Sequence, residues 1–326
     1  MPGDFEDEYF PLDIYTIRAG TISPFSINTR STDTYKEVFK PGNEIDGDKL
    51  RWLIGKNVRT VYILKSEADL YNEYLVDNLD SILRDKAIPL GERSDIAHHS
   101  IINVADIVFE EPTIKKVRRY KSSIAALTDF IFNDDEALDN LIRLSEHEYQ
   151  NSIHNVNIGV LATGLAKSVF GLDSDHNMHE IAAGFFLHDI GIINIPLPIL
   201  YATRRLTHEE WKIIRQHPSE GYKILSKLNL GTRECKLIIL QHHERLNGKG
   251  YPFGLKEDEI HIYGRMCSLA DIFEALTSER PYRPTGKKYS SSFEALQFMK
   301  NELAEELDPE LFKKFVLMLH RAYYNR

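Results

Sequence analysis

The chain reads as a C-terminal all-α helical bundle preceded by a small α+β N-terminal domain. Three observations predict this. Runs rich in β-branched residues, bounded by Gly, Pro, Ser and Asn, occupy the first hundred residues. From residue 151 onward, apolar residues recur at helical spacing almost without interruption. The 326 residues are 42% hydrophobic and 27% charged, enough to build a real core and, by length, about two domains. The boundaries fall at 1–100 for the α+β domain, 101–145 for a helical linker and 146–326 for the bundle.

In the first domain, PLDIYTIRAGTISPFSI and VRTVYILK read as strands, and GDKLRWLIGK between them as a short helix. Residues 67–83 carry Leu and Tyr at helical spacing. His98 and His99 lie in a polar stretch and read as surface residues. Two amphipathic helices follow between 113 and 150, and the basic run KKVRRYK reads as a solvated face. In the bundle, Ile158, Leu161, Leu165 and Val169 form one stripe after His154, with Gly171 as a C-terminal stop. MHEIAAGFFLHD forms the next helix, ended by Gly191. Thr207 and Glu210 make a capping box ahead of WKIIRQH. Helices follow over 233–243, over 265–279 and in the terminal PELFKKFVLMLHRAYY.

Composition excludes several functions. A net charge of −9 gives no broad basic face, so no nucleic-acid polymer is expected as a partner. No apolar run approaches the roughly 18 residues of a membrane span, and the acidic start MPGDFEDEYF is not a signal peptide. Cys235 and Cys267 form neither a disulfide framework nor a zinc pattern, which fits a reducing cytoplasm.

Five motifs supply metal-ligand types: His154, the pair His188-Asp189, His217, the pair His242-His243, and Asp271. Each lies within or at the end of a predicted helix, and helices of a bundle can project such side chains onto one point. Carboxylate with imidazole suits iron, manganese or zinc better than calcium or magnesium. Any one of these residues alone is more often a core histidine or a chance pair. Seven together exceed one tetrahedral ion and suit two ions sharing a carboxylate.

The wider contexts HDIGIINIP (188–196), HPSEG (217–221), HHERLNGKGYPFGL (242–255) and ADIFEALTSERPYR (270–283) resemble the HD-GYP family, in that family's order. Gly250-Tyr251-Pro252 is the GYP element, and the resemblance covers residues 146 to 310. It implies an HD-type helical bundle that hydrolyses cyclic di-GMP or a related cyclic dinucleotide, with two transition-metal ions, iron first and manganese next. It makes His154, His188, Asp189 and Asp271 ligands of one ion and His217, His242 and His243 ligands of the other. Asp189 bridges them, which makes it the central catalytic residue. A bridged pair acidifies the water between its ions, and the resulting hydroxide is the nucleophile. The resemblance also puts Arg280, Arg283 and Tyr251 at the substrate, and it links the GYP loop to diguanylate cyclase domains. Glu244 reads either as a hydrogen-bonding support for a ligand or as a surface ion pair.

Three departures matter. The family's Lys three residues after the HD aspartate is Ile192 here, with Arg204 or Arg205 as possible replacements. The Glu that precedes the first ligand histidine in three-metal members is Gln150, which favours two ions. LPILYATRRLT replaces the usual acidic, Pro-Gly-containing stretch after the HD motif, which changes the rim of the site. The leading reading is therefore a cyclic dinucleotide phosphodiesterase. The alternative is a metal-stabilised signalling module that binds nucleotide or a diguanylate cyclase-type partner with little turnover. A di-iron oxygenase is the third reading, and the GYP element counts against it.

Overall fold

The computed structural model describes residues 8–31, 34–144, 151–171, 175–278 and 291–324. Arg280, Arg283 and Gln150 lie outside the described residues. The chain divides into two compact units, Met1–Asn103 and Val104–Arg326.

The first unit holds an antiparallel sheet built from β1 (Tyr9–Asp13), β2 (Ile27–Ser31), β3 (Thr34–Phe39) and β4 (Thr60–Leu64), in the order β1-β4-β2-β3. Tyr9 pairs with Leu64 and Asp13 with Thr60, so Leu12, Val61 and Ile63 point to one buried face. Of the long predicted strand PLDIYTIRAGTISPFSI, only the two ends join the sheet, and Ile22 between them forms an isolated bridge to Glu44. Residues Ile14–Thr16 turn as a 3-10 helix capped by Asp13, whose Oδ1 accepts from the Tyr15 N–H at 2.8 Å. Helices α1 (Gly47–Gly55) and α2 (Ala68–Arg84) complete this layer. Phe25 meets Tyr71 and Tyr74 of α2 edge to face, at 5.8 and 5.4 Å between centroids.

Helix α3 (Leu90–Glu110) contains the boundary between the units. His98 is buried on it, contrary to the surface reading, whereas His99 is exposed and bonds the Asp95 carbonyl at 2.8 Å.

The second unit continues with α4 (Ile114–Asn133), α5 (Asp135–Leu144), α6 (Asn151–Phe170), α7 (Met178–Phe186), α8 (Leu197–Leu200), α9 (His208–Ile214), α10 (His217–Lys227), α11 (Arg233–Gln241), α12 (Ile262–Thr277), α13 (Ser292–Glu302) and α14 (Pro309–Tyr324). Helices α4 and α5 fall in the stretch read as a linker. They belong instead to this unit's core. Val117, Tyr120, Ile124, Leu127 and Ile131 are buried on one face of α4, and Tyr120 meets Phe186 edge to face at 6.4 Å.

Two glycines set the spacing of the bundle. A Cβ on Gly159 of α6 would stand 2.5 Å from the Phe186 ring, and one on Gly184 of α7 would stand 2.5 Å from Ile238 of α11. Their absence of side chains draws α6, α7 and α11 together. Each buried aromatic in such a seam contributes about 1.5–3 kcal/mol through burial. Gly171 closes α6 at φ +70, the left-handed stop read from the sequence. Thr207 and Glu210 form the reciprocal capping box of α9.

Candidate metal centre

The bundle brings all seven sequence-named donors to one buried place. His154 comes from α6. His188 and Asp189 follow the end of α7. His217 opens α10, His242 and His243 follow α11, and Asp271 lies in α12. They fall into two groups whose donor atoms lie within 4.8 Å of one another: Asp189, His217, His242 and His243 in one, and His154, His188 and Asp271 in the other.

Asp189 stands between the groups. Its Oδ1 is 3.0 Å from His217 Nε2 and 3.4 Å from His242 Nε2. Its Oδ2 is 3.9 Å from His188 Nε2 and 4.0 Å from His154 Nε2. Asp271 is divided in the same way, with Oδ1 3.7 Å from His154 Nε2 and Oδ2 3.4 Å from His243 Nδ1.

The backbone fixes which ring nitrogens face inward. Nδ1 of His188, His217 and His242 each lies 2.8 Å from the carbonyl three residues back, on Phe185, Ile214 and Ile239. A carbonyl can only accept, so each Nδ1 carries the hydrogen and each Nε2 presents a lone pair to the centre. His217 Nε2 and His242 Nε2 stand 3.1 Å apart. His188 Nε2 is buried without a hydrogen-bond partner, and the short approach of His217 to Asp189 Oδ1 lacks hydrogen-bond geometry. Lone pairs on nitrogen and oxygen converge at these distances only around positive charge. The donor set therefore fits a pair of divalent transition-metal ions.

The electrostatics agree. Burial pushes the Asp189 carboxyl up, but the neighbouring His217 and His188 outweigh it and hold it well below the carboxylate range. Burial lowers His188 to about 4, so it stays neutral and able to ligate near pH 7. Burial, with the charges of His242 and His217, also pushes His243 well down. Burial lowers His217 too, but the adjacent Asp189 carboxylate reverses this and raises it. In the absence of an ion, a proton on His217 relieves the clash with Asp189.

One supporting residue was not read from the sequence. Glu274, buried one turn after Asp271 on α12, bonds His154 Nδ1 through Oε2. This carboxylate–histidine pairing orients the ring and raises its basicity. The signal was present: positions three apart share a helix face.

Glycines explain the motif contexts. A Cβ on Gly191 would stand 1.9 Å from the His217 carbonyl oxygen, so the turn after Asp189 packs directly on the start of α10. A Cβ on Gly250 would stand 2.5 Å from the backbone of His243 and Glu244. That contact folds the GYP loop back over the site, where Tyr251 stacks on His243 at 4.6 Å and 29°. Glu244 neither supports a ligand nor pairs at the surface. It is buried and accepts from the N–H groups of Phe253 and Leu255 at 2.7 and 2.9 Å, which pins this loop.

The replacement cations behave differently from expectation. Arg204 is held by both carboxylate oxygens of Glu210, and Arg205 is exposed. Ile192 is half-buried.

A bundle that converges imidazole and carboxylate from five helices has a donor cluster in its core that fits metal ions. The chain belongs to the HD domain family, whose model matches residues 108–311, and it carries the GYP element of the HD-GYP group at Gly250-Tyr251-Pro252. It is 33% identical to a cyclic di-GMP phosphodiesterase of Pseudomonas aeruginosa over 186 residues, covering 57% of this chain and 43% of that one. It is 38% identical to a cyclic di-GMP phosphodiesterase of Thermotoga maritima over 190 residues, covering 58% and 49%. A 3'3'-cGAMP-specific phosphodiesterase of Vibrio cholerae is 35% identical over 176 residues, covering 52% and 36%. The match thus spans less than half the length of each of these relatives. The solved structure of Bd1817, an HDG"Y"P protein from Bdellovibrio bacteriovorus, shares the fold with a TM-score of 0.63 at 23% identity, covering 96% of this chain and 99% of that one. Among the described residues, no helix is long and apolar enough to cross a membrane.

Proposed function

We propose that the chain is a metal-dependent phosphodiesterase that hydrolyses cyclic di-GMP or a related cyclic dinucleotide. The observation that carries this reading is the division of Asp189, with one oxygen toward His217 and His242 and the other toward His154 and His188. The names of the Pseudomonas, Thermotoga and Vibrio relatives supply the substrate class. His154, His188, Asp189 and Asp271 would hold one ion, and His217, His242 and His243 the other, with iron first and manganese next. When bound, such a pair supplies the charge that acidifies a water nucleophile and neutralises the phosphodiester as it becomes five-coordinate. The chain's own part is to fix the ring tautomers through backbone carbonyls, keep Asp189 ionised, and cover the site with the GYP loop. Arg280, Arg283 and Tyr251 remain the proposed nucleotide contacts.

Residues 1–100 would serve as a regulatory or partner-binding domain. A contact with a diguanylate cyclase domain through the GYP loop, where Phe253 is 60% exposed, rests on the family resemblance. Two buried free thiols, Cys235 and Cys267, are compatible with a reducing cytoplasm.

The test is a time course of products from cyclic di-GMP and cyclic GMP-AMP, run anaerobically with iron- or manganese-loaded protein. Linear dinucleotide or mononucleotide should accumulate, and Asp189→Ala should abolish it. Binding without product would favour the signalling module, for which Ile192 is the specific observation. Ile192→Lys separates the two readings. It should strengthen nucleotide binding about ten- to a hundredfold if the position faces phosphate. Lower melting without tighter binding would mean that the position packs into an apolar wall.

A further inference from the structure

The site has a cation that neither the motifs nor the departures from them name. Arg215 caps the C-terminal end of α9, two residues before His217. Its guanidinium carbon lies 5.5 Å from the centre of the Tyr251 ring, which is itself stacked on His243. Arg215 is exposed, and it has no carboxylate partner among the described residues. Of the two arginines in the rim segment, Arg204 is committed to Glu210 and Arg205 is exposed, with no ring contact to Tyr251 among the described residues. Tyr251 thus holds one uncommitted guanidinium at the edge of the metal centre through a cation–π contact.

Resting on the phosphodiesterase reading, we propose that Arg215 binds the second, non-reacting phosphate of the cyclic dinucleotide. Such a substrate carries two phosphodiesters on opposite sides of one macrocycle. The metal centre accounts for the charge of the one that is cleaved. The other needs a donor outside the ligand shell, and Ile192 cannot provide it. A guanidinium suits phosphate through paired N–H donors, and stacking on Tyr251 leaves its edge N–H groups open. The role is binding and specificity. Arg215 takes no part in proton transfer.

The experiment compares metal-loaded full chain, Arg215→Ala and Arg215→Lys on cyclic di-GMP and on bis(p-nitrophenyl) phosphate, which has a single phosphodiester. With Arg215→Ala, KM for cyclic di-GMP should rise roughly tenfold with kcat nearly unchanged, as for loss of one partly exposed charged contact. Arg215→Lys should recover part of the loss. Added salt should raise the KM of the unsubstituted chain more than that of Arg215→Ala. Cleavage of bis(p-nitrophenyl) phosphate and metal content should not change. An unchanged KM overturns the proposal, and so does an equal loss on both substrates, which would mean that Arg215 acts through the metal rim. If the unsubstituted chain binds cyclic di-GMP without cleaving it, the phosphodiesterase reading fails by itself. A titration of both forms then decides on Arg215: about tenfold weaker binding by Arg215→Ala supports it, and equal binding overturns it.

Discussion

Asp189 Oδ1 and His217 Nε2 lie 3.0 Å apart without hydrogen-bond geometry between them. The hydrogen of His217 is committed to the Ile214 carbonyl on the far side of the ring. A contact of this kind is repulsive unless positive charge sits between the two atoms. The same holds for His217 and His242, 3.1 Å apart. A proton on His217 or a bound cation relieves both contacts, and the two donor groups fit cations; four predictions follow.

Asp189→Ala removes the one group that reaches both donor sets. It should strip metal from both positions, whereas His242→Ala should mainly weaken the one shared with His217 and His243. The fold should survive both, because the seam of Gly159, Phe186, Gly184 and Ile238 does not depend on these residues. Elemental analysis with circular dichroism checks this. Full metal occupancy in Asp189→Ala would remove the bridging assignment.

Glu274→Gln keeps the size of the side chain and removes its charge. His154 would then lose its carboxylate partner and part of its basicity. Supporting groups of this kind are worth on the order of 10–100-fold in metal affinity. The loss should appear in a competitive chelator titration with little change in melting temperature. A drop in melting with unchanged metal affinity would mean that Glu274 serves packing alone.

Acid should destabilise the metal-free protein through its buried histidines. Burial lowers His188 to about 4 from an unfolded value near 6.5, so between these values the unfolded chain binds more protons. The stability held by neutral His188 is present above pH 6.5 and lost as pH falls toward 4, to the extent of about 3 kcal/mol. His243, also pushed down by burial, acts in the same direction. His217, raised by Asp189, opposes them. Melting temperature of the chelated protein should fall across this window, and a flat profile would contradict the buried neutral state of His188.

The donors were legible because each sits in a context with its own physical reason. Gly191 must lack a side chain to lie on the His217 carbonyl, and Gly250 must lack one to fold against His243. These glycines keep the motifs recognisable. Glu274 was missed because, in DIFEALTSE, it looks like any solvated helical glutamate, although it is buried. Helix α3 was missed because SDIAHHS is polar in composition, yet Ile96, Ala97, His98 and Ser100 are buried along it. Strand β3 was missed because it pairs with β2 alone and carries Lys36 and Glu37, the charged pattern of an edge strand. Helices α4 and α5 were read as a linker because their charged faces are conspicuous. Their buried faces only count once the bundle exists to receive them.

The central claim is that Asp189 joins two cation positions in one centre, and metal stoichiometry tests it most directly. After anaerobic reconstitution with iron or manganese and removal of loosely bound ions, elemental analysis should find about two ions per chain. One ion per chain, or none, would contradict the account.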